Sequence, residues 1–265
     1  MMPPGVLHRV YGLVVQEFYV TRRRMEVLMD ILFFPIMNVI LFGYITMYIG
    51  AGTKVNGQYF ILGVLLWEFI VIVQYNVSVS SMWSMWSHNL SNIFIAPISV
   101  AEYLVAQVIA AILRTIAVVG FLALGTYLFF DFNILHLGLI NILLFTINLA
   151  IFSCWLGIAL LGLVFRFGQR IQSLTWYTVF LFQPLTAAFF PVSVLPGFLQ
   201  GLARALPPTY VFEAARQSLT TSRINWHSAF IALLLNLAYT VVAIGVFIYL
   251  FHRSKETGQF ARNDL

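Results

Sequence analysis

Residues 102–130, EYLVAQVIAAILRTIAVVGFLALGTYLFF, decide how this chain folds. After Glu102 the stretch carries one charge, Arg114, and nothing in it breaks a helix. At 1.5 Å per residue such a helix is longer than the roughly 30 Å of hydrocarbon in a bilayer. A helix apolar on every side is stable only inside a large protein or in lipid.

Working outward, comparable apolar runs occupy about 27–49, 58–82, 102–130, 134–165, 171–190 and 228–251, each with the roughly 20 residues a crossing requires. The chain is 61% hydrophobic and only 9% charged, against roughly 25% charged in a soluble domain. The expected fold is therefore an all-α integral membrane protein, a single domain over 1–265 with six transmembrane helices. The lone cysteine, Cys154, lies inside an apolar run and excludes an intrachain disulfide.

The cations set an expected orientation. With the N-terminus in the cytosol, the inner segments hold Arg9, Arg22, Arg23, Arg24, Arg166, Arg170, Arg253, Lys255 and Arg262. The outer segments hold Lys54, Arg204, Arg216 and Arg223. This bias favours an N-in, C-in topology. The net charge of +5 is spread between apolar runs, so it argues for no nucleic-acid partner and for the lipid bilayer instead.

Residues 5–23 place Leu7, Val10, Tyr11, Val14, Val15 and Phe18 opposite His8, Arg9, Gln16 and Glu17, the pattern of an amphipathic helix in the membrane interface, with a soluble cap helix as the alternative. Arg22–Arg24 suit anionic headgroups and superficially resemble a twin-arginine signal. The run that follows contains Asp30 and Pro35, is of full spanning length and is followed by no small-x-small cleavage site, so an anchor is expected rather than a signal peptide.

Between the second and third spans, about 84–96, Trp83, Trp86, Leu90 and Ile93 fall on one helical face and Ser84, Ser87, His88, Asn89, Ser91 and Asn92 on the other. Such a cytosolic helix either transmits a push between two spans or serves as an interfacial anchor. Ser99 and Glu102 form a capping-box pattern that starts the third span. Before the last span, over about 192–222, Pro191, Pro196, Pro207 and Pro208 interrupt the helical pattern, and Glu213 and Arg216 stand three apart. An outer re-entrant hairpin is expected, allowable where protein or water shields its backbone; an exposed loop is the alternative.

Two charges lie deep in the spans. Glu68 is expected roughly 15 Å below the outer surface and Arg114 roughly 18 Å above the inner one. Neighbouring antiparallel spans would bring them together as an ion pair, either structural or substrate-touching. His8, His88, His136, His227 and His252 are scattered, with no metal-ligand spacing, and no nucleophile–base set emerges. Gly50, Gly52 and Lys54 do not make the G-x-x-x-x-G-K-[ST] phosphate loop.

Phe190-Pro-Val-Ser-Val-Leu-Pro-Gly-Phe-Leu-Gln200, followed by Leu206-Pro-Pro-Thr-Tyr-Val-Phe-Glu-Ala-Ala-Arg216, is similar to the proline-rich stretch before the last span in permease subunits of type-2 ATP-binding-cassette exporters. The order of parts agrees over nearly the whole chain. The resemblance implies a drug, lipid or polysaccharide export permease in the cell (inner, plasma) membrane. It implies pairing with a second permease copy, as a homodimer or with a close homologue. It also implies a separate ATPase subunit that holds ATP and magnesium, with no cofactor in this chain and no catalysis by it. In such permeases the helix carrying Trp86, Ser87, His88, Asn89, Leu90, Asn92, Ile93 and Phe94 docks on the ATPase. Arg22, Arg23, Arg24, Arg166 and Arg170 would flank that site, and the outer hairpin would cap the substrate path. Two other classes compete: a multispan lipid-modifying enzyme, and a channel or secondary transporter lined by Glu68, Asn76, Arg114, Asn148 and Asn236.

Overall fold

The computed structural model describes residues 5–52, 58–86, 96–221 and 223–257. Every regular element among them is helical. In chain order these are α1 (Val6–Arg23), α2 (Met25–Leu28), a π-helical turn (Met29–Phe33), α3 (Phe34–Gly52), α4 (Gln58–Trp86) and α5 (Val100–Phe130). They are followed by α6 (Leu139–Phe167), α7 (Gln172–Leu185), α8 (Gly197–Arg204), α9 (Pro207–Ser218) and α10 (Trp226–Glu256).

Five stretches among the described residues are long and apolar enough to cross a bilayer: Met25–Tyr48, Gln58–Val79, Val100–Phe130, Leu139–Phe167 and Trp226–Glu256. The expected span at 171–190 takes a different form. Its helix, α7, is 14 residues long and carries Pro184 inside its last turn, which gives roughly 21 Å of helix, short of a hydrocarbon core. Apolarity alone does not show that the helix stops at Leu185. The fourth span is also displaced: Ile134–Leu137 form a 3-10 turn capped by Asn133, and α6 begins only after Gly138, whose φ of 83° favours glycine.

α4 is the axis of the bundle. In its apolar stretch 89% of the residues are buried, against 22% in the stretches of α3 and α10, because α3, α5, α6 and α7 all pack on it while α10 packs on the outer side of α6. Close approach is built in where α4 meets α6. A Cβ on Gly157 would stand 2.8 Å from Cβ of Val77, so only glycine lets these two helices come so near. The outer faces stay apolar: Phe121, Leu124, Leu128 and Phe129 of α5 and Val241, Val242 and Tyr249 of α10 are all exposed. That inversion of the soluble pattern suits lipid tails as solvent.

Polar residues fasten the spans to one another. Asn236 Nδ2 of α10 donates to the Asn148 carbonyl of α6 at 2.9 Å and Trp155 Nε1 donates to Asn236 Oδ1 at 3.2 Å. Nearer the end of α10, Ser254 Oγ donates to the Phe165 carbonyl. In a medium without competing water such interhelical bonds contribute about 0.6 kcal/mol each on average.

Candidate functional site

Short connections put the start of α5, the end of α6 and the end of α10 at one end of the bundle. Arg9, Arg22, Arg23, Arg166, Arg170, Arg253 and Lys255 gather there by position, while Arg204, Arg216 and Arg223 belong to the opposite end. Arg166 Nη1 donates to Thr257 Oγ1 at 2.8 Å, tying the last turn of α6 to the C-terminal end of α10. Arg22 and Arg23 occupy the last turn of α1, where cations favour the helix dipole, and both are exposed, as is Arg170.

At this basic end α1 is fastened to α5 by two ion pairs. Ser99 caps α5: its side chain accepts from the Glu102 N–H at 3.2 Å while Glu102 Oε2 accepts from the Ser99 N–H at 2.7 Å, which completes the expected capping box. The other oxygen of Glu102 accepts from Arg9 Nε at 3.1 Å and pairs with its Nη2. Deeper in the bundle, Glu17 Oε2 meets Arg114 Nη2 at 3.0 Å and Glu17 Oε1 accepts from Gln107 Nε2 at 2.9 Å, with Glu17 and Arg114 both nearly fully buried. Arg114 Nη1 donates to Asn76 Oδ1 of α4 at 2.7 Å.

The expected Glu68–Arg114 pair is therefore replaced. Arg114 faces α1 and finds Glu17, while the buried Glu68 carboxylate accepts from Asn38 Nδ2 of α3 at 2.8 Å. The expected common depth does not hold either: Arg114 meets α4 at Asn76, eight residues and roughly 12 Å along the helix from Glu68. Glu17 sat on the polar face of an amphipathic pattern, and it is buried together with Leu13 while His8 of that face stays exposed. Asn148 and Asn236 are committed to one another, as Asn76 is to Arg114. Asn76, Asn148 and Asn236 thus act as links between helices.

The opposite end carries the proline-rich segment. Pro191 caps a 3-10 turn (Val192–Val194), Pro196 precedes α8, and Pro207 and Pro208 occupy the first positions of α9, where a missing N–H costs nothing. Arg216 of α9 reaches back to the broken end of α7: its Nη1 donates to the Ala187 carbonyl at 2.9 Å and to the Ala188 carbonyl at 3.4 Å. Glu213 Oε1 holds Arg216 at 3.0 Å and accepts from the Val192 N–H at 2.9 Å. Burial pushes the Arg216 guanidinium below its ordinary value, and the Glu213 carboxylate acts in the opposite direction. Gly63 of α4 is needed here as well, since a Cβ would lie 2.5 Å from the Ala188 oxygen.

Trp86 is the last residue of α4. The rest of the expected coupling segment, Ser87, His88, Asn89, Leu90, Asn92, Ile93 and Phe94, lies outside the described residues. No group of three metal-ligating side chains occurs among the described residues. Two clefts open between the first spans. One of about 490 Å³ lies between α3 and α5, lined by apolar and aromatic side chains such as Ile40, Met47, Phe121 and Phe129. The other, of about 470 Å³, lies between the π-helical turn, α3, α4 and α7 and includes Asp30, Tyr75 and Trp176.

A family model described as ABC-2 type transporter matches residues 8–220, from α1 to just beyond α9. No individual curated protein matches the sequence.

Proposed function

We propose that this chain, which belongs to the ABC-2 type transporter family, works as one of two permease subunits that together form the translocation path of an ATP-driven exporter. The family match over residues 8–220 carries this reading. The cargo is a hydrophobic or amphiphilic compound such as a drug, a lipid or a glycan-linked lipid. ATP and magnesium belong to a separate ATPase subunit, since the chain contains no G-x-x-x-x-G-K-[ST] loop.

The basic end of the bundle faces the cytosol of a plasma membrane in this reading, and six crossings result if α7 and the segment after it complete the fifth. The hairpin of α8 and α9 then re-enters from the outer side, with Arg216 satisfying the carbonyls that the end of α7 leaves free.

The segment 84–96 docks on the ATPase, flanked by α1 with Arg22–Arg24 and by the turn with Arg166 and Arg170. Its attachments support that role: it runs from the end of α4, the most buried helix, to the capping box of α5. α5 is itself ion-paired to α1. A push on this segment reaches the axis of the bundle through α4 and reaches α5 at its capping box.

Purification tests the assignment. The chain should copurify with an ATPase subunit, and substitution of His88 or Leu90 should leave insertion intact while uncoupling ATP hydrolysis from transport. A chain that is stable and active alone would point instead to a channel, a secondary transporter or a lipid-modifying enzyme. Unchanged substrate-stimulated hydrolysis in the His88 and Leu90 variants would remove the docking role.

A further inference from the structure

The cleft between the π-helical turn, α3, α4 and α7 has a composition that the α3–α5 cleft lacks. Its floor is formed by Gln74, Thr175 and Val179, all buried, and exposed Phe34, Tyr177 and Phe180 stand at its rim. Asp30, Tyr75 and Trp176 complete the lining. One carboxylate and five aromatic rings thus share about 470 Å³, a volume within the range of drug-sized sites.

Asp30 lies inside the π-helical turn Met29–Phe33, an irregularity that recurs at functional positions in helices. Its Oδ2 accepts from Tyr75 Oη at 2.8 Å, and no cation pairs with it among the described residues. The other deep carboxylates differ: Glu17 faces Arg114, and Glu68 is closed off with Asn38. An acid in a span without a cationic partner is costly and is retained where it binds something. The ring of Trp176 packs edge-on against Tyr75 at 5.1 Å, and its buried Nε1–H has no acceptor. Aromatic faces around a carboxylate are the chemistry that recognises an ammonium group.

We propose that this cleft is a binding site for the cationic group of an amphiphile, with Asp30 as counter-charge, the rings of Tyr75 and Trp176 as the wall of the cationic site, and the exposed rim toward the apolar tail. The inference rests on the exporter reading for its consequence, since it makes organic cations the substrate class, but the binding stands apart from it. Charge complementarity selects this occupant over an anionic lipid, which Asp30 would repel.

Tetraphenylphosphonium and tetraphenylborate, nearly the same shape with opposite charge, separate the possibilities. Binding is measured on the full chain in nanodiscs, alone and with any ATPase subunit that copurifies. The phosphonium should bind, Asp30→Asn should weaken it by about tenfold or more, and Asp30→Glu should restore part of the loss. Trp176→Leu should weaken it several-fold, and Asp30→Asn should leave the borate no weaker. Equal phosphonium affinity in an Asp30→Asn protein that melts like the parent overturns the site, and so does preference for the borate. Should Asp30→Asn fail to fold, Tyr75→Phe keeps both carboxylate and ring; retained or tighter phosphonium binding supports the site, and loss of it overturns the site. Coupled ATP hydrolysis without charge discrimination removes this inference and leaves the exporter standing. Charge-selective binding by a chain that never associates with an ATPase does the reverse.

Discussion

Glu17 of α1 holds Arg114 of α5 at 3.0 Å, with both side chains almost wholly out of contact with solvent. The pair lies 12 residues further along α5 than the Arg9–Glu102 pair at its start, roughly 18 Å deeper into the bundle. α1 is thereby part of the packed bundle and not a loose surface anchor. Its exposed residues Leu7, Tyr11 and Tyr19 supply the amphipathic face that meets the surroundings.

Removing one partner of this pair should do more harm than removing both. A lone buried charge costs about 3–5 kcal/mol, whereas an apolar replacement of both is often close to neutral. Glu17→Gln and Arg114→Met should each lower thermal stability in detergent, and the double variant should recover part of the loss. Glu68→Gln should add to Arg114→Met within about 0.5 kcal/mol, since the two share no partner. A strong coupling between Glu68 and Arg114 would contradict the observed geometry.

Five of the six expected spans were legible among the described residues because lipid imposes one-dimensional demands, length and apolarity. The cap of α5 was legible as well, because Ser99 and Glu102 are local partners. The two short helices of the proline-rich segment were legible from their prolines, and they appear as Gly197–Arg204 and Pro207–Ser218. What was not legible depends on rotation about helix axes. Arg114 finds its acid on α1, whose pattern read as an interfacial helix, and only packing brings Glu17 to it. Asp30 read only as a residue marking its run as an anchor rather than a signal peptide, and nothing local announces that Tyr75 and Trp176 converge on it. The early end of α7 depends on Arg216, 31 residues after Leu185, to receive the carbonyls that follow.

Arg216 should therefore matter more than Glu213. Arg216→Ala strands the Ala187 and Ala188 carbonyls in a buried setting, and a lost charged donor of this kind costs about 2–3 kcal/mol. Glu213 is about a third exposed, 32% by its side chain, so Glu213→Gln should cost less than about 1 kcal/mol. Unfolding titrations of the two variants check the order; equal losses would mean that the carbonyl contacts contribute little.

Asn236 offers a test of the α6–α10 seam. Its amide donates to Asn148 and its oxygen accepts from Trp155, so Asn236→Leu removes two interhelical links and leaves the Trp155 N–H without its acceptor. The expected loss is about 1–2 kcal/mol. A double-mutant cycle with Trp155→Phe should show coupling. Additivity of the two changes would place these side chains apart.

The close approach of α4 to the backbone after α7 can be tested by one added methyl group. Gly63→Ala must push its Cβ against the Ala188 oxygen, a backbone atom of a segment already held by Arg216, so neither side can yield cheaply. Overpacking of this kind costs about 1–3 kcal/mol. Gly120→Ala is the matched control: its Cβ would meet nothing within 4 Å, and alanine is the better helix former by about 1 kcal/mol. Gly63→Ala should lower the unfolding temperature while Gly120→Ala holds or raises it. If the two variants melted alike, the α7 end would not be pressed against α4, and the role of Arg216 as the clamp on that junction would fall with it.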